Sequence, residues 1–152
     1  MGSVWPPSEG HRDALQLGAS GETKCYKVHG ADVTWKEGKQ QCIELGGVMA
    51  VTQSEEEIQH LLNMCSCARY WIGCNDIQTE GTWVCLGEGD IGVDDNRWYN
   101  VQPDNQDGNQ DCAEVFDYSA GSSSAGWHDR ECNLPRKVIC QRPTVSSAML
   151  HM

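Results

Sequence analysis

Tyr70-Trp71-Ile72-Gly73-Cys74-Asn75-Asp76, followed after three residues by Glu80-Gly81-Thr82-Trp83, decides the fold. Tyr70 to Asn75 and Thr82 to Cys85 are short runs rich in aromatic or β-branched residues, the composition of strands, and a polar turn lies between them. Cys112 to Phe116 and Lys137 to Gln141 have the same character further on. Upstream the pattern is helical. Thr34-Trp35-Lys36-Glu37 sets a hydroxyl and a carboxylate three apart, a capping box in which each satisfies the other's backbone N–H. Trp35, Lys39, Cys42 and Leu45 follow at helical spacing, and Gly46-Gly47 ends the helix. Ser54-Glu55-Glu56-Glu57 repeats the device, with Ile58, Leu61 and Leu62 as the buried stripe and three acidic residues to suit the helix dipole. Helices first and strands after them predict an α+β domain.

Residues 1–22 are polar, carry Pro6-Pro7 and show no periodicity, so a flexible N-terminal segment is expected there. Residues 143–152, with Pro143 and Ser146-Ser147, read as a C-terminal tail, which places the domain at 23–142. Between Leu86 and Asp111 lies a stretch dense in Gly, Asp, Asn and Gln; a loop of that length in a compact domain is usually functional or disordered.

The 152 residues are enough for one domain with a real core, and six Trp against one Phe predict a core of few, large pieces. Eleven Lys+Arg against 22 Asp+Glu leave a net charge of −11 without a basic cluster. That balance excludes nucleic acid and disfavours anionic membranes. Surplus carboxylate suits a hard cation such as calcium. No run of 18 apolar residues exists, so membrane insertion is not expected. No leader opens the sequence, and the expectation is that one has been removed. Nine cysteines would stay thiols in a reducing cytosol, so the domain is expected outside the cell, secreted or as a receptor ectodomain.

Taken in order, Cys42, the Tyr70–Asp76 run, Glu80-Gly81-Thr82-Trp83, Gln102-Pro103-Asp104, Asp111-Cys112, Trp127-His128-Asp129, Cys132 and Cys140 resemble the C-type lectin-like domain across about 115 residues. Several unrelated features keep their order and spacing, which makes the match specific. The resemblance implies the C-type lectin-like fold: two helices flanking short antiparallel sheets, a long calcium-binding loop and disulfide staples. It implies Cys42–Cys140, tying the first helix to the last strand, and Cys112–Cys132, closing the loop region. On a chain-entropy estimate these closures contribute roughly 4–5 and about 3 kcal/mol. Cys74 and Cys85 fall where the family usually has apolar residues on neighbouring strands, and a bond across the hairpin is expected. In the family's longer form the position of Cys25 bonds a cysteine about ten residues earlier, which this chain lacks. Cys65 and Cys67 are left to join Cys25 or a second chain, the latter giving a disulfide-linked homo-oligomer beside the non-covalent alternative. A zinc site from Cys65, Cys67, Cys74 and Cys85 is the sharper reading, but the spacings do not follow the paired-knuckle pattern.

The resemblance also implies a calcium ion. In the family a proline, here Pro103 after an X-Pro bond expected to be cis, sits between two side chains that point the same way; these are Gln102 and Asp104. The next ligand position is Gln110, where the family usually has Glu, and the last pair is His128-Asp129, where it usually has Asn-Asp. Exchanging Glu for Gln removes about 3 kcal/mol of attraction to a divalent ion at water-like screening, before the amide dipole restores part of it. A neutral His offers nitrogen to a cation that prefers oxygen. A weakened calcium site is therefore expected. Asp76 and Glu80 with Asn105 and Asp111 map onto a second, structural calcium site, Gln110 being shared; the plainer reading of Asp76 and Glu80 is as turn residues. Asp94, Asp95 and Asp107 read as solvated loop carboxylates. Gln-Pro-Asp rather than Glu-Pro-Asn implies galactose-type glycans, but Asn105-Gln106-Asp107 lacks the ring that usually stacks on the sugar, which predicts weak binding per site and a need for avidity. Trp98 or Tyr99 could reach over, Trp98 reading equally as core, and Trp127 reads as core.

Catalysis is not expected. His128 and Asp129 are strand neighbours that point to opposite faces; His11, His29 and His60 are scattered; and no nucleophile elbow or phosphate loop is present. The stronger rival is a lectin-like domain that has lost calcium and sugar and binds a protein ligand, for which Gln110 and His128 speak.

Overall fold

A computed structural model describes residues 14–17, 22–99, 102–105, 108–117 and 125–143. Expectations for His11, Asp107, residues 144–152 and most of the N-terminal segment lie outside the described residues.

The chain runs β1(Ala14–Leu17), β2(Glu22–Val33), α1(Trp35–Glu44), β3(Val48–Met49), α2(Glu55–Cys65), β4(Arg69–Asn75), β5(Trp83–Cys85), β6(Gly89–Ile91), β7(Cys112–Asp117), β8(Ala125–Arg130) and β9(Arg136–Pro143). The α+β expectation holds. The sheet runs β1-β2-β9-β4-β5-β6, with β3 on β9, and β7 pairing both β4 and β8. All pairs are antiparallel except β4 with β9, where Tyr70 and Trp71 face Lys137 and Val138.

Local chemistry explains the helices. Thr34 and Glu37 form the reciprocal capping box at α1. At α2 only half of the expected device forms. The Ser54 hydroxyl accepts from the Glu57 N–H, but the Glu57 carboxylate turns inward and accepts from Gln53 N–H, Lys24 Nζ and the Tyr26 hydroxyl. Glu57 is fully buried, so its charge is balanced by Lys24 instead of by the helix end. Gly38 lets α1 lie directly on β9, since a side chain there would collide with Val138.

Five strands lie outside the four runs read as strands, among them β2, which pairs with β9. β1 falls inside the segment expected to be flexible; Ala14–Leu17 has no alternating pattern and is held by main-chain pairing with Glu22–Cys25. β3 and β6, of two and three residues, are too short to announce themselves. β8 carries Gly126 and two charges and is set by its ladder to β7.

Two apolar clusters fill the molecule. One joins α2 to β4, β5, β7 and β8 around Trp83, Trp98 and Trp127; the other lies under α1 around Trp35, Met49 and Trp71. Trp127 is core as expected, and Trp98 is core too, its ring edge-on to Trp83 and Trp127. That leaves Trp98 unable to cover a sugar.

Three disulfides, Cys42–Cys140, Cys112–Cys132 and Cys74–Cys85, fasten these layers, and a fourth, Cys65–Cys67, closes a local ring. The first three are the expected pairs. The fourth corrects the expectation for Cys65 and Cys67: at the very end of α2, with the C-cap Ser66 in the left-handed region, the two cysteines bond to each other. All four cysteines of the zinc alternative are consumed, which removes it. Cys25 is buried in β2, outside these four bonds.

Candidate functional site

The long loop is pinned where it matters. Trp127 N–H donates to the Arg97 carbonyl and Tyr99 N–H to the Trp127 carbonyl, so residues 97–99 ride along β8. Gly126 permits this: a Cβ there would lie 2.8 Å from the Tyr99 Cβ. The Arg97 guanidinium stacks 4.4 Å over the Trp127 ring and pairs with Glu88 and Asp95. Asp95 is therefore not a solvated carboxylate as expected. Arg97, two residues on, binds both its oxygens and holds its carboxyl below the usual range. Asp94 is exposed, as expected.

Beyond this anchor the Gln102–Pro103 bond is cis, as expected. Gln102 and Asp104 do point the same way, Gln102 Nε2 donating to Asp104 Oδ2 at 3.2 Å. Asp129 on β8 lies beneath them, its two oxygens accepting from Asp104 N–H at 3.1 Å and Asn105 N–H at 2.7 Å. Burial raises the Asp129 carboxyl above its ordinary range, with Asp104 adding repulsion and the backbone N–H groups opposing. Gln102 Oε1 is buried and accepts no hydrogen bond. Gln102 and Asp104 thus pair side chain to side chain, and Asp129 holds the backbone beneath them.

Gln110 is buried beside them, its N–H donating to Asn105 Oδ1. His128 is not with them. Strand alternation turns its ring to the other face, where Nδ1 lies 3.4 Å from Glu114 Oε2, the residue opposite it on β7.

The second expected constellation is more compact. Carboxylate oxygens of Asp76, Glu80 and Asp111 all lie within 4.8 Å of one another. Asp76 N–H donates to the Asp111 carbonyl, locking the β4 end to the β7 start, and Gly81 N–H donates to Asp76 Oδ2. Asp76 Oδ1 and Asp111 Oδ1 are buried with no donor. Burial pushes the Asp76 carboxyl up to about 7, the neighbouring Asp111 and Glu80 adding to the rise while the Gly81 N–H opposes it. Calcium–oxygen bonds of roughly 2.3–2.6 Å span a diameter close to that 4.8 Å spacing, so these oxygens fit around one hard cation. Asn105, the fourth residue of this expected set, links the two groups: its N–H serves Asp129 and its side-chain oxygen serves Gln110.

One buried carboxylate had no place in the sequence reading. Glu114, fully buried, faces Arg136 Nε at 2.8 Å, Arg69 NH1 at 3.8 Å and the His128 ring. Burial would raise its carboxyl, but His128, Arg136 and Arg69 outweigh that and hold it below the usual range. The available signal was a lone charge between Ala113 and Val115 in an apolar strand.

This architecture can be set against known proteins. The sequence profile of the lectin C-type domain matches residues 31–142. The chain belongs to the C-type lectin domain family. C-type lectin domain family 4 member M of the gibbon Nomascus concolor is 32% identical over 123 residues, covering 79% of this chain and 29% of the relative. The lectin domain therefore spans less than a third of that relative's length. Among solved structures, the mouse scavenger receptor C-type lectin carbohydrate-recognition domain superposes with a TM-score of 0.67 at 23% identity, covering 88% of this chain and 96% of its own. A calcium-independent type II antifreeze protein superposes with a TM-score of 0.65 at 21% identity, covering 86% of this chain and 92% of its own. These likenesses carry the fold. The family consists in general of non-enzymatic modules, in line with the absence of a nucleophile motif in this sequence.

Proposed function

We propose that this lectin domain binds glycans of galactose type at the rim formed by Gln102, Asp104 and Asp129, around a calcium ion, and acts outside the cell. The observation that carries the reading is the pairing of the Gln102 and Asp104 side chains over Asp129, which holds their backbone, with Gln102 Oε1 buried and lacking a donor. A buried acceptor without a partner is costly unless a cation or hydroxyl meets it. Calcium would supply direct coordination of sugar hydroxyls. Gln102 then donates and Asp104 accepts hydrogen bonds at the hydroxyl edges, which is what sets the preferred hydroxyl geometry. Asp129 ties the loop to β8.

Gln110 completes the set as a neutral amide. His128 lends nothing to the ion while it faces Glu114, so the calcium is held weakly. Asp76, Glu80 and Asp111, bridged to the rim by Asn105, hold a second, structural calcium. Trp98 and Trp127 being buried, no ring among them stacks on the sugar, and function rests on several copies acting together. With eight cysteines paired in the chain and Cys25 buried, non-covalent association is the route to such avidity.

The alternative, a protein ligand bound without calcium, rests on Gln110 and on the engagement of His128 with Glu114. Thermal melting with calcium and with chelator, followed by a galactose column in each condition, separates the two. The glycan reading expects a higher melt in calcium and calcium-dependent retention. A calcium-indifferent melt with no retention favours the protein ligand.

A further inference from the structure

We infer that Cys65–Cys67 is an exchangeable redox centre whose substrate is a small anionic thiol, received in a basic cleft that Cys67 lines. Three independent features meet there.

The first is accessibility. Cys42, Cys140, Cys74, Cys85 and Cys112 are almost completely buried, whereas Cys65 and Cys67 are both partly exposed. Cys132 is also partly exposed, but its partner Cys112 is enclosed. Exposed disulfides are the ones open to thiolate attack.

The second is closure. Cys65 and Cys67 are two residues apart, against 98, 20 and 11 for the other three pairs. Opening so small a ring releases little chain. Exchange here leaves the fold standing.

The third is charge. A cleft of about 200 Å³ is lined by Cys67, Ala68, Arg69, Pro135, Arg136, Lys137 and Asp32. Arg69, Arg136 and Lys137 bring three positive charges, answered by buried Glu114 and by Asp32, which lies 3.4 Å from Lys137 Nζ. In a chain of net charge −11, this local surplus attracts a carboxylate-bearing thiol that the rest of the surface repels.

The chemistry balances without another reagent. The incoming thiolate attacks Cys67 Sγ from the cleft. The Cys65–Cys67 bond breaks, a mixed disulfide forms on Cys67, and Cys65 leaves as a thiolate that takes a proton from water. Cys65 Sγ lies 3.5 Å from the Leu62 carbonyl, an acceptor ready for the new thiol. A second small thiol attacks the mixed disulfide, releasing the oxidised small disulfide and the Cys67 thiolate beside the basic groups. The domain gains two electrons and the small thiols lose them.

The test is graded reduction of the folded protein by glutathione, and in parallel by uncharged 2-mercaptoethanol, with alkylation and peptide mass mapping. Cys65 and Cys67 are expected to become alkylated at thiol concentrations at least tenfold below those that open the other pairs. Lys137→Glu, on a partly exposed side chain, is expected to slow glutathione several-fold while leaving 2-mercaptoethanol unchanged. Opening of Cys112–Cys132 before or together with Cys65–Cys67 overturns the redox centre. A Lys137→Glu protein that treats both reagents as before overturns the anionic thiol. Cys65→Ser/Cys67→Ser should retain its melting temperature within a few degrees, and unfolding of that variant would overturn the claim that the ring is expendable.

Discussion

Glu114 within β7 and Asp76 at the junction of β4 with β7 each centre a group of charged residues, and the two groups are built on opposite principles. In one, Glu114 is surrounded by Arg136, Arg69 and His128, and its carboxyl is held low. In the other, Asp76, Glu80 and Asp111 crowd together, and Asp76 is pushed up to about 7. The first finds its counter-charge within the chain, although Glu114 Oε2 too is buried without a hydrogen-bond donor. The second has no cationic side chain among its members, and Asp76 Oδ1 and Asp111 Oδ1 lack donors. Each centres on a buried carboxylate; what differs is whether the chain supplies its counter-charge.

The largest expected effect comes from breaking the Glu114 group. Glu114→Ala strands two guanidinium groups near an emptied pocket and should cost about 3–5 kcal/mol in urea unfolding. A loss under about 1 kcal/mol would mean that the cluster is not coupled to folding.

pH separates the two groups by sign. In chelator the folded state keeps a proton on Asp76 that the unfolded chain releases near 3.8, so stability from this cluster falls as pH rises from about 4 to 7 and is flat above. Asp129, raised as well, adds to the same trend. Glu114, lowered, acts the other way: its contribution is present above the ordinary 4.5 and is lost as pH falls through its folded value. Asp76→Asn should remove most of the fall between pH 4 and 7 in a pH series of melts; an unchanged series would refute the assignment.

Calcium should then stabilise only the Asp76 group. At ten times its dissociation constant a single ion adds about 1.4 kcal/mol, read as a rise in melting temperature at pH 7.5. The smallest expected change is in Gln110→Glu, which restores a carboxylate between the rim and the triad. It should lower the calcium midpoint by about tenfold or less, equivalent to about 1.4 kcal/mol. A rise in the midpoint would show that Gln110 serves the loop and not the ion.

Much of this was legible in order and spacing. The α1 cap, the ring-rich strands, three disulfides and the cis Gln102–Pro103 bond were read from local residue types or from resemblance, and all are present. What escaped were pairings between distant positions. Glu57 looked like a helix cap and is the partner of Lys24, 33 residues away. Asp95 looked solvated and is clamped by Arg97. His128 was aligned with the ligands, but the pleat sends its ring to Glu114.

The amino-acid sequence, with the resemblance it carries, determined the fold class and three of the four disulfides, because these follow from residue type and the order of motifs along the chain. Only the tertiary structure decided which carboxylates are neutralised and which remain open. A charge buried by folding takes its character from whatever the fold places within a few ångströms of it, and no local pattern encodes that neighbour.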